Sequence, residues 1–345
     1  MSSGEVNKKH IDFTDTYITQ KGFENCSTKM VPSGTVVMAL AGQGKTRGTV
    51  AITNIDLCTN QSLAAIVTDD SVCDLCLLYY LETQYENLRA VSSGDGTRGG
   101  LNLQIISDYP VCLPSIGEQI KIADFFAVLD KKIEKQHTLI ETLKKYKRGL
   151  LDRVFNQNNG LYPSSWTEIS IEDLFEPISD KNHPDETVLT IIQGQGTAPR
   201  DSIERRIAYD KSSVKTYKLT DVGDFILHLR SFEGGLEKTN QKGIVSPAYT
   251  VLRPKLIVET GFYYAYFRSY WFINNKLRDS VEGIRDGKSI NMTSFWKIKI
   301  PLPSLEEQQR ISHIFGLLDE KIQNSASYLV TLQALKRTLL KQMFI

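Results

Sequence analysis

The sequence predicts an α/β (α+β) chain. Two globular domains are separated by two long antiparallel coiled-coil helices, and the halves are related by a pseudo-two-fold internal repeat. The first observation is the repeat itself. Residues Leu113–Phe155 and Leu302–Phe344 align without a gap at a shift of 189, and 18 of the 43 aligned positions are identical. The second is the pair of start signals. Ser115-x-x-Glu118 and Ser304-x-x-Glu307 read as capping boxes, in which the serine hydroxyl accepts a backbone N–H three residues on and the glutamate reaches back to the serine N–H. The third is periodicity. Apolar residues recur at alternating steps of four and three, at Ile122, Phe126, Leu129, Ile133, Ile140, Leu143, Leu150 and Val154 in the first copy. The second copy has Ile311, Phe315, Leu318, Ile322, Leu329, Leu332, Leu339 and Met343. That spacing is the coiled-coil period, and each narrow seam needs a partner helix. Two seam positions are polar in both copies, Gln136 with Ser325 and Lys147 with Lys336. Polar seam residues reduce stability but fix register. Two unrelated helices in separate cores would make that matching a coincidence.

The elements follow in order. Residues 1–111 form a first mixed domain. Gly34–Leu40 is a strand, Gly42-Gln-Gly-Lys-Thr-Arg-Gly48 a glycine-rich turn, Thr49–Ile52 a strand and Leu63–Val67 a further apolar run. Val72–Ala90 reads as one amphipathic helix, and Ser92–Gly100 as a glycine-rich loop. Residues 112–156 are the first spacer helix, and Asn156–Gly160 is a linker by composition. Residues 157–300 form the second domain, which repeats the order of the first. Gly223–Leu229 is a strand, Arg230–Gly235 a loop, Lys242–Leu252 a returning strand, Gly261–Asp279 an aromatic-rich helix and Gly283–Lys288 a loop. Residues 301–345 are the second spacer helix. Gly48-Thr-Val50 answers Gly243-Ile-Val245 at a shift of 195. Nothing in the first half answers Trp166–Phe175, so the first domain reads as N-terminally truncated.

Composition narrows the function. At 345 residues and 41% hydrophobic, the chain can build two or three cores. A net charge of +1 means that a polyanion must be met by local patches and not by a global field. No apolar run is long enough to span a membrane, the first residues carry no apolar signal region, and five cysteines without framework spacing suit a reducing cytoplasm.

Few motifs point to catalysis. Residues 39–46, Ala-Leu-Ala-Gly-Gln-Gly-Lys-Thr, fit a relaxed phosphate-loop pattern, the basis for an alternative reading as a nucleotide-binding NTPase. A true phosphate loop opens a helix, whereas strand-like Thr-Val-Ala-Ile follows here. Cys73-x-x-Cys76 lies inside a helix without a second pair. No catalytic, metal or cofactor constellation is expected. Arg, Lys, Gln and Ser next to glycine are the more informative feature, because these side chains read base edges and hold phosphates where glycine permits close backbone approach. The candidate DNA contacts are Gln43, Lys45, Arg47, Thr97 and Arg98 in the first domain, and Arg230, Ser231, Arg285 and Lys288 in the second. A coiled-coil scaffold that never touches DNA is the remaining alternative.

These residues resemble the specificity (S) subunits of type I restriction–modification enzymes over essentially the whole chain. The most specific signatures are the Leu-Pro-Ser-x-x-Glu-Gln starts at 113–119 and 302–308, each leading to Lys-Arg-x-Leu-Leu. Gly223-Asp-Phe, Arg230-Ser-Phe-Glu-Gly-Gly, Gly243-Ile-Val-Ser-Pro-Ala-Tyr, the 42–48 turn and Thr59-Asn-Gln-Ser62 are similar to that family's target-recognition domains. The resemblance implies two such domains, each reading one half of a split, asymmetric site in double-stranded DNA. It also implies that the helices dock methyltransferase (M) subunits, which recruit restriction/translocase (R) subunits, and that the chain itself does no chemistry. A helix of about 23 residues would span about 35 Å, near one turn of DNA.

Overall fold

The computed structural model describes residues 1–42, 45–92, 100–158, 162–202, 211–228, 235–283 and 289–344. The elements used below are β1 (His10–Ile11), β2 (Val36–Ala39), β3 (Val50–Thr53), β4 (Leu63–Ile66), α1 (Asp74–Thr83), α2 (Tyr85–Val91) and the long helix α3 (Ile116–Phe155). They continue with β5 (Thr167–Ser170), α4 (Ile171–Leu174), β6 (Phe175–Ile178), β7 (Phe225–His228), β8 (Glu237–Lys238), β9 (Tyr249–Pro254), α5 (Thr260–Phe267), β10 (Lys299–Leu302) and the second long helix α6 (Leu305–Met343). The chain forms two compact units, Met1–His137 with Ser327–Ile345, and Thr138–Ala326. Each long helix thus gives one half to each unit.

In the first unit the sheet order is β1-β3-β2-β4. β2 is buried on both faces. Val36 and Met38 join one apolar cluster with α1, while Val37 and Ala39 join another with Val6, Ile11 and Leu57. Alternation along a strand sends successive side chains to opposite sides, so a strand apolar throughout must be covered twice. In the second unit the sheet order is β8-β7-β9-β6. Its core is aromatic, with Phe225 packed edge-on against Phe175 and Phe267, and Phe262 against Tyr263.

The expected strands are found, and four readings are corrected. The stretch Val72–Ala90 is two helices, α1 and α2, hinged at Gln84. α1 is not amphipathic, because every residue from Cys76 to Leu81 is buried; sheet, loops and α3 surround it. Lys242–Leu252 is two strands, Gly243–Val245 paired with Lys218–Thr220, and β9 paired with β7. Pro247, which has no N–H to give, lies in the break. Gly261–Asp279 forms α5, then a π-type turn at Phe272–Lys276 and a 3₁₀ turn. The shift of 195 is also wrong. Val36 pairs with Ile52 and Ile66, whereas Phe225 pairs with Lys238 and Leu252, so both flanking strands correspond at 186.

The long helices run antiparallel, seen separately in each unit. In the first unit Phe126 of α3 shares a cluster with Leu340 of α6 and Tyr79 of α1. In the second, Phe155 near the end of α3 stacks on Phe315 near the start of α6, centroids 6.1 Å apart. Of the seam, Phe126, Ile140, Ile311, Phe315 and Leu332 are buried; Ile122, Leu129, Ile133, Leu143, Leu318, Ile322 and Leu329 are half-buried. Met343 is exposed and borders an open cleft.

The polar seam lysines have partners related by the repeat. Lys336 Nζ lies 2.6 Å from Asp130 in the first unit, and Lys147 pairs with Asp319 in the second. Asp130 also takes Lys9 Nζ at 2.8 Å and the Tyr79 hydroxyl at 2.9 Å, and Lys9 bonds Glu82 at 2.7 Å. Burial pushes the Lys336 and Lys147 ammoniums below the usual lysine range. Burial works to raise the Asp130 pKa, but Lys9 and Lys336 outweigh it, and the carboxyl sits below its ordinary value.

The motif glutamines tie the domains to the helices. Gln119 and Gln308 are 3% and 2% exposed. Gln119 Oε1 accepts the Cys73 N–H at 2.9 Å, at the start of α1, and its Nε2 donates to Pro114 C=O. Gln308 does the same with the Glu259 N–H at the start of α5 and with Pro303 C=O. Each satisfies a helix N-terminal donor that would otherwise be orphaned. The two capping boxes are each half formed. Ser115 N–H donates to Glu118 at 3.3 Å in one, and Glu307 N–H donates to Ser304 Oγ at 3.3 Å in the other.

Two outcomes are expected. Asp130→Asn leaves Lys9 and Lys336 sharing Glu82 alone and should cost about 2–4 kcal/mol in urea unfolding, against about 1 kcal/mol for Asp319→Asn, whose side chain is 46% exposed. Because the folded-state pKa of Asp130 is lowered, its contribution is present at neutral pH and is lost as pH falls through and below the ordinary carboxylate range. The gap between wild type and Asp130→Asn should therefore shrink on acidification; a gap independent of pH would refute the assignment. Separately, Gln308→Ala should cost about 1–3 kcal/mol by stranding the Glu259 N–H, with hydrogen exchange accelerated first at 259–262.

Candidate nucleic-acid interface

Two glycine-rich loops of the first unit meet at one end of its sheet. Leu101 N–H donates to Leu40 C=O at 3.0 Å, which seats the end of the 92–100 loop against the start of the 42–48 turn. The turn is held from behind by α2. The Tyr85 hydroxyl donates to Lys45 C=O at 2.8 Å, and Arg89 Nη1 donates to Arg47 C=O at 3.4 Å. Gly42 at φ +146° and Gly48 at φ +82° supply conformations that a side chain would strain. After Gly48 the chain enters β3 and not a helix, so no helix N-terminus faces the turn as a phosphate loop requires.

Of the sequence-derived contacts, Lys45 is exposed on the rim of this turn and Arg47 lies inside it. Arg47 is 7% exposed, and its Nε has no hydrogen-bond partner among the described residues. Gln43, Thr97, Arg98, Arg230, Ser231, Arg285 and Lys288 lie outside the described residues. In the second unit, β7 ends at His228, whose ring is 5.2 Å from that of Tyr249, immediately before the 229–234 stretch. Behind that end of the sheet sits Glu237, 4% exposed. It accepts the N–H groups of Gly194 at 2.7 Å and Gly196 at 3.1 Å and the Tyr264 hydroxyl at 3.0 Å. Asp224 is taken by Arg253, through Nε at 2.8 Å and Nη2 at 2.7 Å, so this carboxylate braces β9. Neither Glu237 nor Arg253 was singled out in the sequence, because their importance comes from contacts across tens of residues. Among the described residues no group of side chains could hold a metal ion, and no helix is long and apolar enough to cross a membrane.

A second surface was also missed in the sequence. Away from the seam, the long helices expose large apolar side chains at positions related by the shift of 189. These are Ile116 with Leu305, Phe125 with Ile314, Val128 with Leu317, Leu139 with Tyr328, and Tyr146 with Leu335. Val128 and Leu317 are 71% and 52% exposed. Apolar area displayed twice in one register is a duplicated contact surface.

The comparisons agree with this duplication. The specificity subunit of the type I restriction enzyme MjaIX from Methanocaldococcus jannaschii is 28% identical over 183 residues, which is 48% of this chain and 41% of the relative; the chain thus spans less than half of that relative's length. The S subunit of a type I restriction–modification system from M. genitalium matches in fold, with TM-score 0.59 and 18% identity over 92% of this chain and 84% of that one. A chain from a study of complex assembly and conformational transition in the type I R-M system matches with TM-score 0.61 and 15% identity, over 99% and 90%. The profile of the type I restriction modification DNA specificity domain matches residues 2–145 and again 163–332, so the chain belongs to that family and carries its domain twice.

Proposed function

We propose that the chain is the DNA sequence-specificity subunit of a type I restriction–modification complex. The observation that carries this is the duplication of a sheet with glycine-rich loops at one end, in a chain holding the family's domain twice. In this reading residues 1–111 and 157–300 are target-recognition domains, and each reads one half of a bipartite site in double-stranded DNA. Residues 112–156 and 301–345 are the spacer helices. Two half-site readers on one scaffold raise the effective concentration of the second once the first is bound. Near-neutral charge fits a subunit that shares its phosphate contacts with partners. The chain acts in the cytoplasm and does no chemistry; methylation and cleavage belong to M subunits and to R subunits recruited through them. The NTPase alternative has no support in the geometry of the 42–48 turn.

The repeated apolar stripe is the docking surface for the methylating subunits. Two equivalent patches call for two copies of one partner. Leu317→Asp should lower co-purifying M from two copies to one, as should Val128→Asp, and the double variant should retain none. Unchanged stoichiometry by native mass spectrometry would move the docking surface elsewhere.

Arg230, following β7, is assigned as a base reader; an arginine can bond guanine O6 and N7 together, worth about 1–3 kcal/mol of discrimination. Lys45, exposed beside three glycines, is assigned to phosphate. On a panel of single-base variants across both half-sites at two salt concentrations, Arg230→Ala in the assembled complex should relax one half-site only. Lys45→Ala should weaken specific and random DNA alike and flatten the salt dependence. An Arg230→Ala profile unchanged at every position, or weakened uniformly, would remove it as a reader.

A further inference from the structure

The second unit contains a strand–turn–strand segment that the first unit lacks, and the first unit has an open groove in its place. In the second unit Trp166 stacks edge-on to Phe262 and its Nε1 donates to Glu307 at 3.4 Å. β5 then pairs with β10, from Thr167 opposite Leu302 to Ser170 opposite Lys299. Ile171 and Leu174 are fully buried, and the ring of Phe175 lies 5.6–5.7 Å from those of Phe225, Tyr263 and Phe267. β6 finally adds to the outer edge of β9.

The register of the first unit locates each equivalent acceptor. β4 corresponds to β9, but among the described residues nothing pairs with its outer edge. Residues 110–113 correspond to β10 and carry no strand partner there either. Exposure follows. Ile300 is fully buried, whereas its counterpart Val111 is 44% exposed; Val251 is fully buried, whereas Ala65 is exposed, and the adjoining Val67 is 66% exposed. A cavity of ≈ 330 Å³ lies among Met38, Ile66, Leu77, Leu81, Tyr109 and Val111. The second-unit equivalents of all six are buried around the β5–β6 segment. A cleft of ≈ 710 Å³ lies among Tyr80, Leu113, Glu118, Ile122, Met343 and Phe344, whose equivalents include Tyr266, Glu307 and Phe155, the neighbours of Trp166. The residues answering the three rings around Phe175 are Val36, Leu77 and Leu81, all smaller, so the groove admits a side chain at least as large as phenylalanine.

We propose that this groove is a docking site for a polypeptide segment from another chain. The occupant carries a tryptophan at the start of one short strand and a large aromatic side chain about nine residues later at the start of a second. The first strand pairs with 110–113 and the second with the edge of β4, and the tryptophan fills the larger cleft. Strand addition to an open edge supplies backbone hydrogen bonds, and the two apolar hollows supply selectivity. The inference rests on the internal repeat and not on DNA recognition.

The probe is a synthetic peptide spanning Tyr162–Ile178, added to the full chain without DNA. It should bind one per chain, slow hydrogen exchange at 63–67 and 110–113, and raise the thermal midpoint. Alanine in place of Phe175 in the peptide should weaken binding at least about tenfold. Val67→Asp and Val111→Asp, both at exposed positions and so compatible with an unchanged circular dichroism spectrum, should do the same. No saturable binding would overturn the proposal. So would a concentration-dependent dimer that excludes the peptide, because the occupant would then be a second copy of this chain. Peptide binding with protection mapping outside the groove would also overturn it. Loss of DNA binding in the assembled complex bears on the recognition reading alone.

Discussion

An ammonium placed in a helix seam must find a carboxylate, and much of this architecture follows from where two lysines find theirs. Lys336 of the second long helix meets Asp130 of the first, and Lys147 of the first meets Asp319 of the second. The apolar contacts on either side would tolerate a slip of one turn, about 5.4 Å, since one leucine replaces another at little cost. The ion pairs would not. A slipped register leaves two ammoniums facing hydrocarbon, and an unpaired buried charge is among the most destabilising defects a core can hold. Apolar burial therefore provides the association of the helices, and the lysines provide its register.

Register matters because the globular parts hang from the helices through buried hydrogen bonds. Gln119 and Gln308, one turn into each long helix, hold the first N–H groups of α1 and α5. Aromatic side chains reinforce each joint. Phe155 packs on Tyr266, and at the repeat-related place Phe344 packs on Tyr80. A domain joined through a side-chain amide and a ring cannot swivel without breaking both. That is the rigidity asked of a scaffold carrying two readers.

The parts legible in the sequence were those governed by local rules. Seam spacing, helix starts and the strands at Val36–Ala39, Val50–Thr53 and Phe225–His228 each depend on residues a few positions apart. Lys147 and Lys336 were legible as register devices, but Asp130 and Asp319 were not, since an aspartate on a charged helix looks like solvated surface until a partner helix is placed beside it. Gln119 was visible as a motif residue without a role, because its donor comes from Cys73, 46 residues earlier. Val72–Ala90 was misread as amphipathic because tyrosine can be counted as polar or apolar; Tyr79 is fully buried, with its hydroxyl on Asp130. The candidate site was legible only as a class of loop. The aim of an arginine depends on backbone that no local pattern encodes, as Arg47 illustrates by folding inward from a turn whose neighbouring Lys45 is exposed.

The two halves have diverged unevenly, and packing explains where. A seam residue of one copy rests on residues of the other, so a change in either helix is felt at a contact that both copies build; these positions remain nearly interchangeable. A core residue of a globular part touches only its own unit. There the second unit has accumulated rings, at Phe225, Tyr263 and Phe267, where the first has Val36, Leu77 and Leu81. Smaller side chains around a groove of ≈ 330 Å³ leave the first unit with three separate apolar clusters on its sheet and helices, in place of one large one. Cohesion in the first unit accordingly leans more on charge. Lys9, Glu82, Asp130 and Lys336 form a closed, neutral foursome around Tyr79. At the position of Glu82 the second unit has Arg268, which lies over Tyr264 and faces Glu237. One scaffold thus holds two differently stabilised domains, and its helices keep a common register beneath both.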